Sequence, residues 1–161
     1  MIPERCTILV SGVPATGKST FARHLAIQHG FAHYDLESSP SGWPRIELKS
    51  LWDSSRATFA AAVRQAHERA VLDWGFPPSC VSWVRELQTA GVGLVWFDGD
   101  INQARAVFAR RGGLSLKAFD MQVAQLKEAG LPGSLNCVKV PALSASGVFM
   151  EVRDIVSMAF P

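Results

Sequence analysis

The sequence predicts an α/β fold built on a parallel sheet, and three observations predict it. Short β-rich runs alternate with helical patterns along the chain. The first run, Thr7-Ile8-Leu9-Val10, is continuously apolar instead of alternating, as a central strand covered on both faces requires. With 161 residues, 48% of them apolar and 19% charged, the chain can fill one core and lacks the composition of long disordered tails. The expectation is a single domain over residues 1–161.

After the strand at 7–10, a helix is expected over about 18–28, with Phe21, Ala22 and Leu25 inward. Residues 31–35 read as a second, shorter strand. Ser38, Ser39, Pro40, Ser41, Gly42 and Pro44 then break the rhythm, so 36–52 reads as a long irregular connection. Connections of that kind in compact domains are often functional. Phe59, Ala62, Val63 and Ala66 resume helical spacing, and residues 70–73 look like a third buried strand. Cys80, Trp83, Val84 and Leu87 fall at i, i+3, i+4 and i+7, and Gly91 is placed to end that helix. A fourth strand at 93–97 precedes helices at 101–111 and about 116–129, the latter with Leu116, Phe119, Val123 and Leu126 inward. Residues 138–140 give a fifth strand, and 149–158 a closing helix.

Composition excludes several functions. Sixteen Lys and Arg against fourteen Asp and Glu leave a net charge of +2, too balanced for a dedicated non-specific nucleic-acid binder. No apolar run approaches the ~18 residues of a membrane span. The opening Met1-Ile2-Pro3-Glu4-Arg5 lacks the charged stretch and apolar segment of a secretory signal, so the expected location is the cytoplasm. Cys6, Cys80 and Cys137 have no CxxC spacing and point to neither a disulfide framework nor a zinc site.

The sharpest signal is Gly12-Val13-Pro14-Ala15-Thr16-Gly17-Lys18-Ser19, which matches GxxxxGK[ST] at every fixed position. Glycines let the backbone bend so that successive N–H groups face phosphate oxygens. The helix that begins there adds its free N–H groups and the positive end of its dipole. Lys18 would reach the β- and γ-phosphates, Ser19 would ligate Mg²⁺, and Thr20 would touch the α-phosphate. A buried strand before the loop and a helical pattern after it supply the context the motif needs. ATP and Mg²⁺ are the expected ligands.

Carboxylates at strand ends fit the same chemistry. Asp73 closes Val71-Leu72-Asp73, the pattern of a metal-holding Walker B carboxylate. Asp35 ends the second strand, where ligands gather in open α/β sheets, and is placed to accept a proton from an attacking hydroxyl; Glu37 follows two residues on. Asp100 with Gln103 reads as a helix cap, and Asp98 has no assigned role. Arg105, Arg110 and Arg111 precede Gly112-Gly113, as in a small lid closing on phosphates, with Arg110 or Arg111 the expected transition-state partner. Arg45 and Arg56 flank the irregular segment as lesser substrate candidates. Trp43, Trp52 and Trp74 are expected on the acceptor side, where they would stack on substrate, and Trp83 and Trp96 in the core. His24, His29, His33 and His67 show no metal-ligand arrangement.

With these residues in place the chain resembles the small P-loop kinases, and among them the group of zeta toxin-like kinases, chloramphenicol phosphotransferase and the kinase domain of polynucleotide kinase. Val71-Leu72-Asp73-Trp74-Gly75-Phe76 is similar to that group's third strand and its exit, and the stretch 105–112 to its lid entry. The resemblance covers the chain in element order, with the P-loop its specific part. It implies a five-stranded parallel sheet in the order 2-3-1-4-5 flanked by helices. It sets Asp35 where these kinases and shikimate kinase carry a substrate-contacting or catalytic aspartate, Arg110 or Arg111 at the lid arginine, and 141–146 beside adenine. No acceptor signature stands in 36–52, and the lid is short and has no zinc cysteines.

The reading is an ATP- and Mg²⁺-dependent phosphotransferase acting on a hydroxyl of a small molecule. One alternative is an ATP-binding or ATP-hydrolysing module without such an acceptor. Another is a nucleic-acid 5′-hydroxyl kinase, for which the charge balance shows no basic channel.

Overall fold

The computed structural model describes residues 1–161. Five parallel strands, β1 (Cys6–Gly12), β2 (Ala32–Asp35), β3 (Arg69–Asp73), β4 (Gly93–Gly99) and β5 (Val138–Leu143), form one sheet in the order β2-β3-β1-β4-β5. Both the expected fold class and the expected strand order are observed.

The continuous apolar runs of the central strands follow from helices on both faces. On one face Leu9, Leu72, Leu94 and Trp96 pack with Phe59 and Val63 of α3 (Arg56–Ala66) and with Val84 and Leu87 of α4 (Val81–Thr89). On the other, Ile8, Val10, Val71, Val95 and Val140 meet Phe21 and Leu25 of α1 (Lys18–His29) and Ile155 of α7 (Val152–Ala159). A smaller cluster of Val13, Ala104, Phe119 and Leu143 seats the helical pair α5 (Ile101–Arg111) and α6 (Leu116–Glu128) over the end of the sheet.

Four expectations are corrected. The connection after β2 is not irregular throughout: it holds two short 3-10 turns at Pro40–Gly42 and Ile46–Leu48, then helix α2 (Lys49–Ser54). It folds because it has apolar side chains to bury, namely Trp43, Leu48 and Trp52. Strand β5 runs on through Leu143, so Pro141 lies inside it, and the closing helix starts only at Val152. Phe149 instead bridges back to Leu143 as a short antiparallel pair. Of the four inward residues predicted on α6, Phe119 alone is fully buried.

Candidate active site

The strand order reverses at β1, which lies between β3 and β4, and in open α/β sheets that point opens a crevice at the carboxyl ends of the strands. The Gly12–Ser19 loop leaves β1 there. Gly12 makes the exit possible. Its φ is 132°, and a Cβ on it would overlap the Phe97 carbonyl oxygen, the same oxygen that accepts the Val13 N–H at 2.9 Å. Ala15 and Gly17 also take positive φ, at 61° and 92°, and Thr16 Oγ1 ties the loop by donating to the Val13 carbonyl at 2.7 Å.

The result is a concave row of donors. No N–H from Ala15 through Thr20 donates to any other part of the chain, and the first amide of the helix to find a carbonyl is that of Phe21, on Gly17. A run of free amides in a bend with alternating handedness, continued into a helix N-terminus, is a nest for an anion.

The cleft in front of that nest has a volume of about 530 Å³. The loop and α1 supply Lys18, Ser19, Thr20 and Arg23; β3 and its exit supply Asp73, Gly75 and Phe76; α5 and α6 supply Arg111, Gln122 and Gln125. Lys18 donates from Nζ to the Val13 carbonyl at 2.8 Å. Burial pushes its ammonium down to about 8, while the Glu37 and then the Asp73 carboxylate pull the other way and Arg111 adds a smaller push down. Asp73 is buried, its Oδ2 lying 3.4 Å from His33 Nε2. The Ser19 hydroxyl and the Asp73 carboxylate, which both line the cleft, are hard oxygen donors of the kind that suits Mg²⁺.

The structure thus brings Gly12, Gly17, Lys18, Ser19, Thr20, Asp73 and Arg111 to one cleft. Other candidates stand elsewhere. The Asp35 side chain does not line it: Oδ1 accepts the N–H groups of Glu37 and Ser38 at 3.0 and 3.2 Å, closing the turn after β2. Glu37 does line it, with Oε1 accepting the Gly75 N–H at 2.5 Å. Arg110 is exposed outside the cleft, and Arg105 is taken up by a two-pronged pair with Asp120 at 2.8 and 3.1 Å, which clips α5 to α6. Asp100 caps α5 by accepting the Gln103 N–H, as its spacing predicts.

The tryptophan expectation is overturned for all three residues. Trp43, Trp52 and Trp74 are 7%, 6% and 8% exposed and belong to the core on the α3 face. They pack edge to face with other aromatic rings there: Trp52 meets Phe59 and Trp74 at 5.2 Å between centroids, and Trp43 meets Tyr34 at 5.3 Å. Arg56 lies over the Trp83 ring at 4.1 Å, and Arg45 pairs with Glu47 in solvent. Neither lines the cleft.

No protein-family model matches this sequence, and no curated protein matches it either. Solved structures do match in fold. A sugar kinase from Janibacter sp. HTCC2649 is 20% identical, with 96% of this chain and 92% of that one covered, at a TM-score of 0.64. A gluconokinase from Sinorhizobium meliloti 1021 is 18% identical over 98% of this chain and 91% of its own, at 0.59. Shikimate kinase from Bacteroides thetaiotaomicron is 13% identical over 96% and 94%, at 0.56. The chain has the fold of the small P-loop kinases.

Proposed function

We propose that the protein is a kinase that moves the γ-phosphoryl group of ATP to a hydroxyl of a small molecule. The observation that carries this reading is the row of unpartnered amides from Ala15 to Thr20 facing a cleft that also holds Lys18, Ser19, Asp73 and Arg111. The amides and Lys18 would bind the triphosphate, Ser19 and Asp73 would hold Mg²⁺, and Arg111 would meet charge developing on the transferred group. Bound Mg²⁺ would neutralise charge on the β- and γ-oxygens. Phosphoryl transfer needs little covalent help, so this chain's part is positioning and fixed charge.

Pro77, Pro78, Gln122 and Gln125 also line the cleft, and they are the residues we expect to meet the acceptor. Such walls suit a compact polar molecule, and the sugar kinase, gluconokinase and shikimate kinase of like fold support a hydroxylated metabolite as the class. Within the fold we group the chain with the zeta toxin-like kinases, chloramphenicol phosphotransferase and the kinase domain of polynucleotide kinase, on the 71–76 stretch and on Arg111 at the end of α5. The cytoplasm is the proposed location; no helix is long and apolar enough to cross a membrane.

The test is a screen of sugars, sugar acids, nucleosides and antibiotics for acceptor-dependent ADP release, with Lys18→Ala as the blank. At least one hydroxylated acceptor should accelerate ADP release in the native protein alone. Slow ADP release that no acceptor accelerates would favour the module that hydrolyses ATP without one.

A further inference from the structure

Resting on the reading of Asp73 as the carboxylate that holds the nucleotide's Mg²⁺, we propose that His33 is the residue that positions it. The imidazole ties one carboxylate oxygen down so that the other is presented to the cleft. The register of the sheet makes this pairing possible. Strands β2 and β3 run parallel, with His33 opposite Val71 and Asp35 opposite Asp73. Side chains alternate along a strand, so His33, Val71 and Asp73 share one face of the sheet. It is the face that α1 covers, where Val71 packs with Phe21 and Leu25. His33 and Asp73 are therefore diagonal neighbours across two strands, a separation that a long side chain spans.

His33 Nε2 stands 3.4 Å from Asp73 Oδ2. An ionised carboxylate only accepts, so this hydrogen bond puts the hydrogen on Nε2. The Asp73 carboxylate receives no other hydrogen bond from the protein. Its side chain is only 5% exposed, yet neither oxygen is both buried and without a partner. Oδ1, which takes no hydrogen bond, is thus the oxygen that opens on the cleft. The two oxygens share one rigid plane, so a donor that fixes Oδ2 also fixes the direction of Oδ1. Partners of this kind hold a metal-binding carboxylate in its productive orientation. His33 itself does not line the cleft, so it acts on the metal through Asp73 alone.

The experiment reads metal binding and not turnover. Dissociation constants of a fluorescent N-methylanthraniloyl ATP are measured in excess Mg²⁺ and in EDTA. The proteins are the native chain, His33→Gln, His33→Ala and His33→Phe. The ratio of the two constants is what Mg²⁺ adds to nucleotide binding, and a side chain that only fills space has no effect on it. Glutamine places an N–H donor at nearly the reach of imidazole Nε2. Alanine and phenylalanine donate nothing, and because one is smaller than histidine and the other as broad, they separate the donor from the packing. Thermal melting identifies the folded samples, and either donor-free variant that folds carries the comparison with His33→Gln.

Mg²⁺ should tighten binding of the analogue to the native protein. That gain should fall by about tenfold in His33→Ala and His33→Phe and stay within about threefold of native in His33→Gln, as expected for loss and retention of a partner to a metal carboxylate. Binding in EDTA should be alike in all four. A gain retained in a donor-free variant, or lost in His33→Gln as deeply as in His33→Phe, would overturn the assignment and leave the kinase reading standing. So would a native protein that binds the analogue equally well in EDTA. Failure of the native protein to bind the analogue in either condition would remove the kinase reading itself.

Discussion

Lys18 shows how much a single position can carry. Its ammonium sits in a partly closed cleft, satisfied by one carbonyl and flanked by Glu37 and Asp73, and burial brings it down to about 8. The direction of the consequence is fixed. A bound polyphosphate favours the protonated lysine, so binding takes up a proton wherever the free protein has lost it, which is above about pH 8. Affinity for Mg·ATP should be level below that pH and weaken above it, by up to about tenfold per pH unit. Lys18→Arg stays charged throughout and should show no such fall. Dissociation constants at pH 7 and 9 for the two proteins check this, and parallel profiles would refute it. The neighbouring carboxylates show where spacing stops being informative. Asp35 and Glu37 are two residues apart with the same chemistry, and spacing alone favours the one at the strand end. Only the Asx turn, which commits Asp35 to the backbone, sends Glu37 into the cleft.

At the scale of elements, the stretch from Ser38 to Ser54 is where local signals mislead most. Its prolines, serines and glycine forbid a long helix, yet Trp43, Leu48 and Trp52 close the core over α3. Burying a tryptophan removes a large apolar surface from water, and edge-to-face contacts with Phe59 and Trp74 add to it. Trp52→Ala should lower the free energy of unfolding by about 3–5 kcal/mol, read by urea denaturation. Affinity for Mg·ATP in the folded variant should be unchanged. A tryptophan that stacked on substrate would do the reverse, leaving stability near native and weakening acceptor binding. The α5–α6 pair is built to hold one side chain over the cleft. Ala104 and Phe119 anchor it, the Arg105–Asp120 pair clips it together, and Arg111 lines the cleft without a carboxylate partner.

For the whole molecule, the amide nest, the Asp73 carboxylate and Arg111 come from separate elements that meet only in the folded chain. Mg·ATP should therefore bind the native state alone and stabilise it by mass action. At a hundred times its dissociation constant the gain is about 2.7 kcal/mol, which for a chain of this size raises Tm by roughly 5–10 °C. Thermal unfolding with and without Mg·ATP measures it. Lys18→Ala should lose most of the shift, and an equal shift in that variant would place the nucleotide somewhere other than the loop.

The sequence by itself determined the α/β class, the strand order through its resemblance to P-loop kinases, and the phosphate loop. The class and the loop rest on local rules: apolar runs long enough for covered strands, and glycines at fixed spacing where the backbone must turn left-handed or approach another strand, as Gly12 approaches Phe97. Tertiary structure alone decided which of two carboxylates and which of two arginines face the cleft, and that the tryptophans are core. Side-chain direction depends on hydrogen bonds between segments far apart in the chain, such as Leu36 to Asp73 and Gly75 to Glu37. No periodicity within one segment encodes partners in another.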